Sequence, residues 1–178
     1  FGSTCPLLNF LAIDLNSGTT ISFVDNSVLT LEQNSEFIVE KFDQFSEKPT
    51  FVISVLKGKF TFESGTIAKT MNGVMQLVMP GKKKNDLEVE TSKMVLGLRG
   101  TLITGSNIDD NFKVALVEDS LGKVGELEID VGGQIITVNE PSSGVNVSEN
   151  NEIQNTILSD EETEQVKNLV KEIAVNSA

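Results

Sequence analysis

The stretch Leu87-Glu-Val-Glu-Thr-Ser-Lys-Met-Val-Leu-Gly-Leu-Arg-Gly-Thr-Leu-Ile-Thr104 decides how the chain is read. Its first part alternates, with Leu87 and Val89 on one side and Glu88 and Glu90 on the other, the pattern of a half-buried strand. Its second part, Met94 to Ile103, is apolar except at Gly97, Arg99, Gly100 and Thr101. Arginine keeps its charge, so an arginine buried in such a run must find carboxylates or carbonyls. Two bracketing glycines would let another backbone come close enough to supply them. Arg99 is therefore read as a buried pin between strands, against the alternative of a ligand-binding cation.

Composition narrows the classes of function. The 178 residues suffice for one domain with a real core. No apolar run approaches the roughly 18 residues that a membrane helix requires, so no transmembrane segment is expected. A net charge of −12 argues against nucleic acid as a partner and against anionic membrane surfaces. The single cysteine excludes an internal disulfide and a cysteine-rich metal site. There is no histidine, which removes imidazole-bound zinc and the Ser-His and Cys-His nucleophile pairs. Trp and Tyr, the usual stacking platforms for sugars and bases, are absent, while Phe occurs ten times. No cofactor or metal is expected.

Taken in order, Phe1 to Ile13 is a short apolar segment without the basic start of a secretory signal. Gly2-Ser3-Thr4-Cys5 has a loose likeness to a lipoprotein cleavage site, but Thr4 is wrong for one, and a first strand is the simpler reading. From Thr20 short strands follow one another. Ile21 to Val24 ends at Asp25-Asn26, Ser27 to Leu31 at Gln33-Asn34, and Glu36 to Phe42 in polar residues before Pro49. Phe51 to Leu56 ends at Gly58, and Lys59 to Glu63 at Ser64-Gly65. Later strands are Phe112 to Val117, Lys123 to Val131 and Gln134 to Val138. Short strands with turn residues between them predict an all-β fold, a β-solenoid or a rolled β-sandwich.

Three polar features carry little beyond structure. Lys82-Lys83-Lys84 is read as a solvated loop tip rather than an anion site. Asp109 and Asp110 lack the acidic ladder of a calcium loop and are read as turn residues. Residues 141–158, rich in Pro, Ser, Asn and Gly, are read as a linker. Beyond them, Ser159 and Glu162 have capping-box spacing, and Val166, Leu169, Val170 and Ile173 share one helical face. The expected organisation is an all-β domain over 1–140, the linker, and a C-terminal amphipathic helix over 159–178.

Several short strings together resemble the FecR domain family. Phe23-Val24-Asp25-Asn26-Ser27 and Leu31-Glu32-Gln33-Asn34-Ser35 are similar to its strand ends. Lys57-Gly58-Lys59-Phe60-Thr61-Phe62, leading to Ser64-Gly65, resembles its middle, and Gly97-Leu98-Arg99-Gly100-Thr101 resembles its signature. The likeness spans about residues 17–140, with four motifs in the right order. Thr91-Ser92 departs from the Thr-Pro expected there, and Gly81 to Asp86 looks inserted. The domain's opening Gly-Asp turn has no counterpart before Ile13, which reads as N-terminal truncation. The resemblance implies an exported, periplasmic or extracellular module that docks another envelope protein, for sensing or signal relay. Gly58, Phe60, Ser64, Gly65, Gly97, Arg99, Gly100 and Thr101 would be its motif residues, in a structural role. The founding members also carry an anti-sigma segment and a membrane helix, which these 178 residues do not contain.

A second class of function stays open. A polysaccharide-cleaving β-solenoid enzyme could work with carboxylates alone, provided two acids face one groove. Glu88 with Glu90, and Glu126 with Glu128, lie two apart on strands and so share a face. That face is more simply the solvent side, so the chain is read as non-catalytic.

Overall fold

The computed structural model describes residues 10–13, 18–80, 92–119 and 121–176. Leu87 to Thr91, with Glu88 and Glu90, and the Lys82 to Lys84 cluster lie outside the described residues. Among the described residues the fold is mostly β, a single curled sheet with one long helix at its C-terminal end.

The sheet is organised around β5 (Thr50–Glu63), a strand of 14 residues that serves two layers. Residues 50–57 pair with β4 (Ser35–Asp43), and residues 50–54 pair in parallel with β6 (Val74–Pro80). Residues 58–63 pair instead with β8 (Leu102–Ile108), and residues 60–63 with β3 (Val28–Leu31). The first layer continues from β6 to β7 (Ser92–Arg99), β10 (Glu126–Val131) and β11 (Gln134–Val138); β1 (Phe10–Ile13) flanks β4. The second continues from β8 to β9 (Asn111–Val117), β12 (Ser143–Val147) and β13 (Ile153–Ile157); β2 (Thr19–Ser22) flanks β3. A single turn of helix, α1 (Thr66–Lys69), joins β5 to β6. Of the two forms open to the sequence, this is the rolled one, because strands such as β7 and β10 pair across long separations.

Gly58 lies where β5 changes layers. Its φ of +102° is a conformation L side chains avoid, and a Cβ there would lie 2.2 Å from the Ser35 hydroxyl. Buried side chains donate to carbonyls on either side of the bend. Asn107 donates from Nδ2 to the carbonyls of Val55 (3.3 Å) and Leu56 (2.9 Å). The Ser35 hydroxyl donates to the Lys59 carbonyl at 3.2 Å.

The core fills the space between the layers. Phe51, Ile53, Val55, Phe60 and Phe62 from β5 meet Leu77, Leu96, Val114, Leu127 and Val145. Phe23, Phe42 and Phe51 pack at centroid distances of 4.6 Å (Phe23–Phe51) and 4.8 Å (Phe42–Phe51). Phenylalanine suits this site because it brings aromatic bulk without a polar atom to satisfy.

The expected linker is corrected. Residues 143–147 and 153–157 are strands that extend the second layer from β9. Val145 and Val147 point into the core and alternate with Gly144 and Asn146, a pattern too short to stand out from its polar flanks. The Ser and Asn content marks turns, with Ser142 and Asn151 both at φ +64°.

The C-terminal helix, α2 (Asp160–Asn176), starts as its capping box predicts. The Ser159 backbone donates to Glu162 Oε2 at 2.9 Å, and the Glu162 backbone donates to Ser159 Oγ at 3.2 Å. Val166 and Val170 pack with Leu158 on Leu102, Ala115 and Val117, on the outer surface of β8 and β9. Lys113 to Glu162 (3.2 Å) and Lys167 to Glu118 (2.9 Å) flank the contact. The side chain of Ile173 lies outside the described residues.

Replacing Gly58 tests the bend. Gly58→Ala must shift either the strand or Ser35, and is expected to cost roughly 3 kcal/mol in urea unfolding. Wild-type stability in Gly58→Ala would contradict the assigned constraint.

Candidate functional site

Three of the motif strings meet at one buried place. The turn Phe23–Ser27 closes on itself, with Asn26 donating to the Phe23 carbonyl and Phe23 to the Ser27 carbonyl, both at 2.9 Å. Asn26 takes φ +67°, which asparagine tolerates better than most residues. The Asp25 carboxylate is fully buried and receives the Ser27 backbone N–H (3.0 Å) and hydroxyl (2.8 Å). The Ser27 hydroxyl in turn accepts from the Gly65 N–H at 2.9 Å, while Thr66 donates to the Asp25 carbonyl at 2.7 Å. Gly65 is required there by space, since a Cβ would lie 2.2 Å from the Asp25 carbonyl oxygen. Ser64 then ties in the third string. Its N–H donates to the Thr101 carbonyl at 2.9 Å, and its hydroxyl accepts from the Thr101 N–H at 2.7 Å. The result is a clasp across the β2–β3 turn, the end of β5 and the β7–β8 crossing.

The remaining motif residues lie elsewhere. Phe60 is in the core, and Gly58 forms the bend already described. Gly97 faces outward, and a Cβ on it would make only ordinary contact with Glu128 at 3.7 Å. Gly100 has φ +60°, and a Cβ on it would meet nothing within 4 Å, so it serves a turn and not a close approach.

Arg99 is exposed, which corrects its reading as a buried pin. Strand β7 alternates, placing Met94, Leu96 and Leu98 in the core and Val95, Gly97 and Arg99 on the other side. After Gly100 the phase changes as the chain enters the second layer. There Leu102 points outward beneath α2 and Ile103 points inward. The run is apolar on both faces because each face of β8 is covered, and this is what hid the alternation.

Glu126 and Glu128 are exposed side by side on β10. The described residues contain no cluster of three or more metal-ligating side chains. Asp109 and Asp110 form the β8–β9 turn, at φ +51° and +60°. They line an open cleft of about 540 Å³ together with Asn34, Gly58 and Lys59. A second cleft of about 370 Å³ runs between α2 and β5–β8, with Thr61, Thr104 and Ser106 on one side and Val166 and Leu169 on the other. One acid escaped the sequence reading. Glu63, at the end of β5, has its pKa raised by burial and by the nearby Asp119, with Lys69 opposing. A lone glutamate closing a strand gives no signal of that kind in sequence.

Residues 11–124, more than half of the chain, match the family model described as FecR protein. The chain belongs to the FecR family. The matched span holds the whole clasp of Asp25, Ser27, Ser64, Gly65 and Thr101. Two crystal structures of a protein assigned as an anti-sigma factor from Parabacteroides distasonis, at 2.50 and 1.65 Å, share the fold. Their TM-scores are 0.61 and 0.62, each at 10% sequence identity. The alignments cover 83% and 84% of this FecR-family chain but only 59% and 60% of those structures. A comparison with curated proteins gives no match.

The clasp and the exposed arginine give opposed expectations. Ser27→Ala leaves the Asp25 carboxylate and the Gly65 N–H short of partners and should cost about 2 kcal/mol. Among the described residues the buried Thr101 hydroxyl has no hydrogen-bond partner. Thr101→Val should therefore hold or raise stability, and Arg99→Ala should stay within about 0.5 kcal/mol of wild type. Chemical denaturation of the three variants checks the order.

Glu63 gives a pH test. Its folded-state pKa is raised, so the fold favours the protonated acid. That contribution is present below the unfolded pKa and is lost as pH rises through the folded one. Glu63→Gln should melt higher than wild type at pH 7, and the two should converge below about pH 4.

Proposed function

We propose that this FecR-family chain is a non-catalytic regulatory module that acts through contact with another protein. Family membership and the fold shared with the assigned anti-sigma factor support a signalling role. The observation that carries the reading is where the motif residues are spent. Asp25, Ser27 and Ser64 bind backbone and one another inside the fold, so the motifs hold strands together and leave no polar set aimed at a small ligand. What remains for function is the outer surface: sheet edges, the exposed acids of β10, and the groove beside α2. An edge or face of this kind suits a protein partner better than a substrate.

The module works, on this reading, on the exported side of the membrane, with an envelope protein as its partner. FecR membership supports the location. No helix among the described residues is long and apolar enough to cross a membrane. The carboxylate-only enzyme is less well supported, because Glu126 and Glu128 lie on an open strand and not across a cleft.

Two measurements test the proposal. Fractionation of cells should find the full-length protein outside the cytoplasm, and removing its gene should change transcription of a defined set of genes. Hydrolysis of a polysaccharide panel, abolished by Glu126→Gln or Glu128→Gln, would establish the enzyme reading instead.

A further inference from the structure

The layers of the sheet end in edges of different character. Strands β3 and β4 flank β5 on one side, so β6 and β8 lie on the other, and the strands beyond them end at β11 and β13 on that same side. Strand β11 reads Gln134-Ile135-Ile136-Thr137-Val138, with four consecutive β-branched residues and neither a charge nor a proline. Natural edges are normally guarded by charges, prolines, bulges or covering loops. Here Ile135 is 61% exposed and Thr137 is also exposed.

The hairpin fixes which backbone groups are free. Gly132 and Gly133, at φ +60° and +93°, form a two-residue turn, and Gly133 donates to Asp130 Oδ1 at 2.8 Å. In such a hairpin Val131 and Gln134 exchange hydrogen bonds, and the pattern alternates from there. Gln134, Ile136 and Val138 therefore bond to β10. Ile135 and Thr137 direct their N–H and C=O groups to the outer edge, where no further strand pairs among the described residues.

The acids of β10 select what can dock. Glu128 pairs in register with Thr137 on one side and Gly97 on the other, and Asp130 with Ile135 and Val95. Neither acid has a basic residue directly opposite it, whereas Glu126 lies opposite Arg99, which is also diagonal to Glu128. A strand laid along β11 would sit about 10 Å from β10, two strand spacings, within the reach of a lysine or arginine side chain. A second copy of the chain, at net charge −12, would bring its own acids to the same place. Strand β13 has no such acids, its outer face carrying Gln154 and Thr156.

We propose that the free edge of β11 accepts an extended segment of a partner protein whose apolar and basic side chains alternate. The inference rests on the reading of this chain as a partner-contact module and names the surface and the partner's chemistry. Apolar side chains of the segment would extend the core face beside Ile136 and Val138, and its basic ones, their stems lying over Ile135, would reach over the edge to Glu128 and Asp130.

The test uses the whole chain and three synthetic peptides. One alternates valine and lysine, one alternates valine and glutamate, and one has the first peptide's composition with its lysines in a single block. Binding is followed by fluorescence titration, and amide exchange by NMR. The alternating valine–lysine peptide should bind and protect the amides of Ile135 and Thr137. The other two peptides should bind at least about tenfold more weakly. Thr137→Pro removes an outward N–H without touching the bonds to β10, and should weaken binding at least about tenfold. Ile135→Lys keeps every backbone bond and should weaken it likewise, so the test survives if the proline variant does not fold. Equal binding of the alternating and block peptides, or protection elsewhere, would overturn the proposal. A dimer of the chain abolished by Ile135→Lys would overturn the choice of partner. A partner found docked on another surface would refute this site while leaving the proposed function standing.

Discussion

One strand cannot hydrogen-bond in two layers unless its backbone is re-aimed between them, and the fold depends on meeting that constraint at Gly58. The left-handed residue turns β5 from the β4–β6 layer to the β3–β8 layer. Asn107 and Ser35 are buried beside the bend and donate to the carbonyls of Val55, Leu56 and Lys59. The core depends on the bend as well, since Phe51 to Val55 face it from one layer and Phe60 and Phe62 from the other.

The clasp solves a related difficulty at the far end of β5. There the chain leaves the strand for α1 and passes beside the crossing from β7 to β8. Backbone groups at such a junction have no ladder partners, and burial makes an unmet group expensive. Serine and aspartate side chains replace the ladder, with Gly65 admitting the backbone of the Asp25 turn. A junction built this way fixes the layers relative to each other while placing few demands on the outer surface. That agrees with a shared fold at 10% identity to the Parabacteroides distasonis structures.

Local features were legible in the sequence. The strand end at Asp25-Asn26, the capping box at Ser159 and Glu162, and the helical face of α2 all follow from neighbouring residues alone, whereas Gly58, read as the end of a strand, is a bend within the continuous β5. The motif strings could be recognised, but their convergence could not, because Asp25, Ser64 and Thr101 meet only after the sheet has rolled. Arg99 was misread for a related reason. A sequence-period argument assumes that one face of a strand is wet, whereas α2 covers the outer face of β8 and β9 at Leu102, Ala115 and Val117. Strands β12 and β13 were missed because their inward residues are few and their turns dominate the composition.

The outer apolar strip under α2 bears on where this module can be divided. The matched family span stops at residue 124, yet Val131, Val138, Val145 and Val147 belong to the same core as Phe51. A piece ending at 124 would lose one wall of that core and the edge partners of β7 and β9. A piece ending at 158 would keep the core but leave Leu102, Ala115 and Val117 open to water, a sticky band on an otherwise strongly acidic surface. The natural unit of manipulation, for expression or for fusion to another protein, is therefore the sheet together with α2.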